Sequence, residues 1–187
     1  MNKYNFDSMK LLKIKNPFIT ISFIFLEKYF LGCYNQHRRI DEDKLKIKEY
    51  SKENNPDWQT ELKKLFLDIH FYLICWANIK KILRKLERTI KDKDFKKIHG
   101  EYNGHLDTFI EFRTYLEHLV ENLENEKKKK LLKKPGDLGN LEGDFFTFGG
   151  KKLYIGKKNL EILNSLYSDL NKWLENIKIV EEFNKNG

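Results

Sequence analysis

Arg113 and His118 stand with four residues between them in the amphipathic stretch FIEFRTYLEHLVENLE, residues 109–124. A histidine that titrates near neutral pH can take a proton from a ribose 2′-hydroxyl or give one to a leaving 5′-oxygen. An arginine can neutralise the charge that grows on a phosphate during the same reaction. Residues of these two types together have the chemistry for acid/base catalysis at a phosphate group, which requires no metal ion.

The stretch around this pair has the apolar period of a helix. Five apolar residues recur at spacings of three and four and predict one buried stripe: Phe109, Phe112, Leu116, Leu119 and Leu123. On a helical wheel Arg113 and His118 lie roughly 140° apart, on opposite shoulders of that stripe. Thr114 and Glu117 lie in the sector between them. Because Arg113 and Glu117 also form an i, i+4 pair, an exposed helix flank without a reactive role is the competing interpretation.

The segment FRTYLEHLVENLE resembles the signature of the HEPN superfamily (higher eukaryotes and prokaryotes nucleotide-binding), in which an arginine is followed after four to six residues by a histidine. The matching positions are Phe112, Arg113, Glu117, His118, Glu121 and Leu123. The preceding stretch DIHFYLICWANIKKILRKL is similar to the helix that this family packs against its motif helix, so the resemblance extends over residues 57–126. Two positions depart from the family pattern. Active members usually carry Asn, Asp or His where this chain has Thr114, and no tyrosine follows His118 at the spacing of members silenced by nucleotide addition.

The resemblance implies a metal-independent endoribonuclease, for example a toxin or a phage-defence effector. His118 would be the general acid/base and Arg113 the phosphate clamp, with Thr114 and Glu117 orienting them. The family's usual site is a cleft between two motif helices, which implies a homodimer, an RNA substrate and no metal or other cofactor. An antitoxin or another regulatory protein would be a further partner. The alternative is a catalytically silent helical module that binds a protein or a nucleic acid.

Composition and charge set broad limits on the function. The formal net charge is +8 and the pI is near 9.2, which suits a polyanionic partner. Only five of the 36 basic residues are arginine, so general basicity is a rival explanation. Cys33 and Cys75 have no metal-ligand spacing and predict buried free thiols in a reducing, cytoplasmic compartment. The apolar run at residues 16–32 is interrupted by Glu27 and Lys28 and is too short to span a membrane.

The 187 residues suit one domain, covering positions 1–187, and their periodicity predicts four main helices. These helices are expected at about 17–36, about 57–91, from Gly104 to about 126, and about 158–183. The second should be the central core helix, because eight apolar residues define its broad face: Leu62, Leu65, Phe66, Ile69, Leu73, Trp76, Ile79 and Leu83.

Two charged stretches and one aromatic stretch connect these helices. Residues 37–57 are interpreted either as a linker or as a solvated helical end. The lysine-rich residues 127–144 are interpreted either as a flexible loop or as a phosphate-binding loop. Residues 144–156 alternate apolar side chains around Gly149 and Gly150, which predicts a small β-hairpin. The sequence therefore predicts an all-α class, an HEPN-like helical bundle with a β-hairpin excursion.

The remaining histidines offer weaker candidates. His99 and His105 could bind a metal with Glu101 or Asp107, but no recognised metal-binding spacing is present, so no metal site is expected. His70 lies within an apolar helix and is predicted to be a hydrogen-bonded core histidine.

Overall fold

The computed structural model describes residues 3–118, 140–148 and 151–177. Its helices are α1 (Ser8–Leu11), α2 (Pro17–Lys52), α3 (Trp58–Ile90), α4 (Lys93–Glu117) and α5 (Lys157–Asn176). Its strands are β1 (Asn140–Glu142), β2 (Phe145–Phe148) and β3 (Lys151–Tyr154). The described chain is mostly helical with one small antiparallel sheet, which confirms the all-α class.

Helix α2 begins where the sequence predicts and is much longer than predicted. The N–H of Phe18 donates to Asn16 Oδ1 at 3.0 Å, so an asparagine caps the first turn. The helix then continues through the charged stretch as far as Lys52. His37 and Ile40 continue the helical spacing of the apolar residues in the first half of α2. Both are buried, because this end of α2 also packs against α3. The helical interpretation of residues 37–52 is therefore the correct one.

Helix α3 matches its predicted limits within one residue and is followed at once by α4. Lys91 takes a left-handed conformation with φ of 53°, which ends α3 and reverses the chain. The carboxylate of Asp92 then accepts from the N–H of Phe95 at 2.8 Å and caps α4. The two helices are antiparallel neighbours because this turn is so short.

The predicted start of the third main helix after Gly104 is wrong. Helix α4 passes through both Gly100 and Gly104, which are exposed and would place an added Cβ in open space. Glycine lowers helix propensity by roughly 1 kcal/mol, but burial of Phe95 and Leu106 on the opposite side supplies packing that outweighs this cost.

The core lies around α3, which packs against both α2 and α4. Six of its eight predicted apolar positions are buried: Leu65, Ile69, Leu73, Trp76, Ile79 and Leu83. Leu62 and Phe66 are partly buried against the same core. The Trp76 ring stacks on Phe109 of α4 with centroids 4.6 Å apart. Helix α5 covers α2 and α4 with five buried side chains: Leu163, Leu166, Leu170, Trp173 and Leu174.

The segment before α2 belongs to the core, although its sequence reads as a polar lead. Tyr4, Phe6, Leu11 and Ile14 are all buried. The Tyr4 hydroxyl donates to Asn164 Oδ1 of α5 at 2.7 Å. This segment therefore joins α2 to α5 through a contact between residues that are 160 positions apart in the chain.

The predicted hairpin is present as β2 and β3, and β1 adds a third antiparallel strand in the order β1-β2-β3. The two turn glycines lie outside the described residues. Phe146 packs on Phe66 of α3 with ring centroids 5.7 Å apart, and Phe148 packs on Tyr115 of α4 at 5.5 Å. The sheet is therefore packed beside the last turns of α4.

Alanine substitution should have opposite effects on stability at two helical glycines, Gly32 and Gly104. A Cβ on Gly32 would lie 2.7 Å from Cys75 Sγ, whereas one on Gly104 meets nothing within 4 Å. We expect Gly32→Ala to lower the free energy of unfolding by about 1 to 2 kcal/mol through overpacking. Gly104→Ala should raise it by about 0.5 to 1 kcal/mol through helix propensity. Urea unfolding measures both.

A second substitution checks the cause of the Gly32 effect. Cys75→Ala removes the sulfur that the new methyl group would meet, so the double variant should recover part of the loss. Equal stabilisation by Gly32→Ala and Gly104→Ala would contradict the close approach of α2 and α3 at this point.

Candidate functional site

The motif residues lie at the C-terminal end of α4. Glu117 is the last helical residue, and the His118 N–H donates to the Thr114 carbonyl at 3.1 Å as the helix closes. Phe109 and Phe112 are buried as predicted, and Leu116 packs against the core. The predicted continuation to about residue 126, with Leu119, Glu121 and Leu123, lies outside the described residues.

Arg113 and Glu117 are in direct contact. The guanidinium Nε and Nη2 both donate to Glu117 Oε1, at 2.8 and 2.7 Å. The Arg113 side chain is 21% exposed, so its stem is sheltered while the charged end reaches the surface. An ion pair of this kind contributes about 0.3 to 0.5 kcal/mol, and its main effect is to hold the guanidinium in one orientation.

The other two motif residues are more exposed. Thr114 is exposed and is joined to His118 through the backbone hydrogen bond that ends the helix. His118 is exposed and follows the last regular turn, with φ of −99° and ψ of 25°. The positions of Arg113 and His118 are about 140° apart around the helix axis, so a compact site needs groups from a second surface.

The small sheet borders this end of α4, and two of its lysines are paired with glutamates. Lys151 of β3 forms an ion pair with Glu111, and Lys152 pairs with Glu142 at 3.3 Å. Neither lysine belongs to the motif. Sequence reasoning missed Lys151 because no local pattern tells which helix a hairpin will cover.

The two histidines considered for a metal are held by different partners. His99 Nδ1 hydrogen-bonds to Glu87 of α3. The His105 ring lies against Trp76 and Phe109, with centroids 5.3 and 5.2 Å away, and burial lowers its pKa. Within residues 3–118, 140–148 and 151–177 no group of three or more His, Cys, Asp or Glu side chains is placed to hold a metal ion.

The environment of His70 differs from the one predicted, which was a hydrogen-bonded core position. It is partly buried and stacks on Phe71, with ring planes 20° apart. Its Nε2 has no hydrogen-bond partner in the part of the chain that is described. Aromatic packing is therefore its main interaction.

The two cysteines are free thiols in contact across α2 and α3. The sequence predicts two buried free thiols. Cys33 is fully buried, as predicted, whereas Cys75 is only partly buried. Burial raises the pKa of the Cys33 thiol. The hydrogen bond with Cys33 lowers the pKa of Cys75, so Cys75 is the more nucleophilic of the two.

A carboxylate pair between α2 and α3 gives stability a pH dependence. Asp43 and Asp68 are buried, and Arg39 Nε lies 2.9 Å from Asp68 Oδ2. Burial, reinforced by the neighbouring Asp68 charge, raises the pKa of Asp43 to about 6. A raised pKa means that the folded state favours the protonated acid. Its stabilising contribution is complete below about pH 4 and is lost as the pH rises through about 6.

Asp43→Asn should remove this dependence. The amide stays neutral at every pH, so we expect the variant to exceed the wild type in unfolding free energy by about 1 kcal/mol at pH 7. At pH 4 the two should be equal. Urea unfolding across this range measures the effect, with the exposed Glu42→Gln on the same helix as control. A variant that is less stable than wild type at pH 7 would contradict the raised pKa.

Comparison with known proteins identifies no relative. No family model matches the chain, and no curated protein or solved structure is significantly similar to it. Of the helices in the described ranges, none combines the length and the apolar character needed to cross a membrane. The chemistry of the site residues is therefore the basis for a functional proposal.

Proposed function

We propose that this chain is a metal-independent endoribonuclease of HEPN type, acting in the cytoplasm as a homodimer. The observation that supports it is the end of α4, where Glu117 holds the half-buried Arg113 guanidinium and His118 closes the helix. An oriented cation and an exposed imidazole are the two groups that phosphodiester cleavage needs.

The reaction follows from these groups. The His118 imidazole removes the proton from a ribose 2′-hydroxyl, and the freed oxygen attacks the adjacent phosphorus. The bond to the 5′-oxygen breaks, that oxygen takes the proton from the His118 imidazolium, and a 2′,3′-cyclic phosphate remains. Arg113 neutralises the charge that builds on the phosphate oxygens. The His118 ring is therefore the base in the first step and the acid in the second.

The homodimer suits the geometry of a single chain. Arg113 and His118 are about 140° apart around α4, so two antiparallel copies of this helix end can place one residue of each kind on the same side. Lys151, on the neighbouring strand, is paired with Glu111 of the same helix, so the small sheet lies close to this end of the bundle. An antitoxin or regulatory protein would act by covering this surface.

The test is incubation of wild-type protein and of Arg113→Ala/His118→Ala with total RNA in EDTA, followed by analysis of the fragment ends. Cleavage by the wild type alone, leaving cyclic phosphate, is expected. Arg38→Ala is a matched control, because Arg38 also pairs with a glutamate at i+4, with Nε 3.5 Å from Glu42 Oε1. It should cleave like the wild type.

Absence of cleavage by the wild type would favour the second reading, a silent helical module. In that case the Arg113–Glu117 ion pair would serve only to stabilise the end of α4. Cleavage that disappears in EDTA would contradict the metal-independent mechanism while leaving RNA as the substrate.

A further inference from the structure

A second cleft lies between α3 and α4, and none of its residues belongs to the Arg113–His118 motif. Its volume is about 390 Å³. The lining residues come from two successive helices: Lys80, Arg84, Glu87, Arg88, His99 and Asn103. We call it the α3–α4 cleft.

Three basic residues follow one side of α3 along this cleft. Lys80, Arg84 and Arg88 are spaced by four residues, which places them one above another, about 6 Å apart along the helix axis. Lys80 is buried and is neutralised by an ion pair with Asp107. Arg84 and Arg88 are exposed, and within the described residues neither has a carboxylate partner. The other three arginines of the chain each have one: Arg38, Arg39 and Arg113.

His99 of α4 lines the same cleft. It is only 7% exposed, and its Nδ1 hydrogen-bonds to Glu87, which fixes the orientation of the ring. Its other nitrogen, Nε2, is buried and has no partner among the described residues. A buried polar atom without a hydrogen bond is costly and calls for a ligand or water to satisfy it.

Phosphate matches this combination of groups. Two guanidinium groups one helical turn apart offer planar N–H donors to the oxygens of one phosphate. A phosphate oxygen accepts from Nε2–H of a protonated His99, and a phosphate hydroxyl donates to the neutral ring, so both protonation states are matched. The cleft volume falls in the range of small-molecule sites, which leaves space for a sugar and base beside the phosphate.

We infer that the α3–α4 cleft binds the phosphate group of a nucleotide or of an RNA backbone, through Arg84, Arg88 and the buried Nε2 of His99. This site goes beyond the proposed ribonuclease activity and does not depend on it. A free nucleotide would be a regulatory ligand, whereas an RNA backbone would be an extended substrate contact.

The test is calorimetric titration of the full chain with inorganic phosphate, with AMP and with a short single-stranded RNA. The RNA titration uses the Arg113→Ala/His118→Ala background so that cleavage does not consume the ligand. Arg84→Ala/Arg88→Ala should weaken binding by roughly tenfold or more, because it removes two charge-assisted partners. Lys85→Ala removes a charge from the same helix outside the cleft lining and should leave the affinity within about twofold.

Two further measurements check the assigned roles. His99→Asn keeps a donor for Glu87 but removes the ring atom Nε2, so it should weaken phosphate binding while the arginines remain. If RNA is the ligand, the double arginine variant should also reduce the salt dependence of log K by about 0.7, the value for one phosphate contact on a single strand.

The outcomes separate the two sources of phosphate. AMP that binds more tightly than inorganic phosphate identifies a nucleotide site, and saturable binding of RNA alone identifies a backbone contact. No saturable binding of any of the three ligands, or equal affinity of wild type and the double arginine variant, would overturn the inference. Because Arg84 and Arg88 are exposed, their loss leaves the fold intact, which thermal unfolding of the double variant verifies.

Discussion

Replacing His118 with alanine should lower the rate of RNA cleavage by about 10²- to 10⁴-fold, the contribution of a general acid/base group. His118 is exposed and lies beyond the last helical residue, so its truncation opens no buried cavity. We therefore expect the free energy of unfolding to change by less than about 0.5 kcal/mol. The measurements are initial cleavage rates on a labelled RNA in EDTA and urea unfolding of the same sample.

A mixing experiment shows whether the site is shared between protomers. If one cleft takes residues from both chains, mixing the inactive Arg113→Ala and His118→Ala variants should restore part of the activity in mixed dimers. Sedimentation of the wild type establishes the dimer independently. Full activity of His118→Ala on its own would exclude this residue as the acid/base, whatever the oligomeric state.

Replacing Phe6 with alanine should lower the free energy of unfolding by about 3 to 5 kcal/mol. The Phe6 ring is fully buried, and its centroid lies 4.9 Å from that of Phe23 on α2 and 5.0 Å from that of Tyr167 on α5. Removing it leaves a cavity where the N-terminal segment joins two helices. Urea unfolding measures the loss.

Phe18 provides the matched control for this substitution. It is also near the N-terminus, but its side chain is 40% exposed on the outer side of α2. Phe18→Ala should change the unfolding free energy by less than about 1 kcal/mol. Equal losses in the two variants would show that the segment containing Phe6 does not belong to the core.

Several elements could be predicted from the sequence because their signals are local. Helix α3 carries a continuous apolar face, and Asp57 and Lys91 mark its two ends, so its limits were predicted within one residue. The alternating apolar residues of β2 and β3 likewise identified the hairpin. These patterns indicate which side of a helix or strand is buried, whichever element covers that side.

Other features depend on residues that are distant in the chain. The charged half of α2 is helical because His37 and Ile40 find a surface on α3, and α4 tolerates Gly100 and Gly104 because its other side is buried. Phe6 is surrounded by neighbours from both α2 and α5. No local composition can show such burial, since the covering residues come from other elements.

The same division applies to the functional residues. The spacing of Arg113, Glu117 and His118 was enough to place an oriented arginine and a histidine at one helix, because the helical repeat determines which side chains meet. Only the tertiary structure decided that Lys151 pairs with Glu111 and that Arg84, Arg88 and His99 share a cleft. The physical reason is that packing joins residues that sequence spacing does not relate.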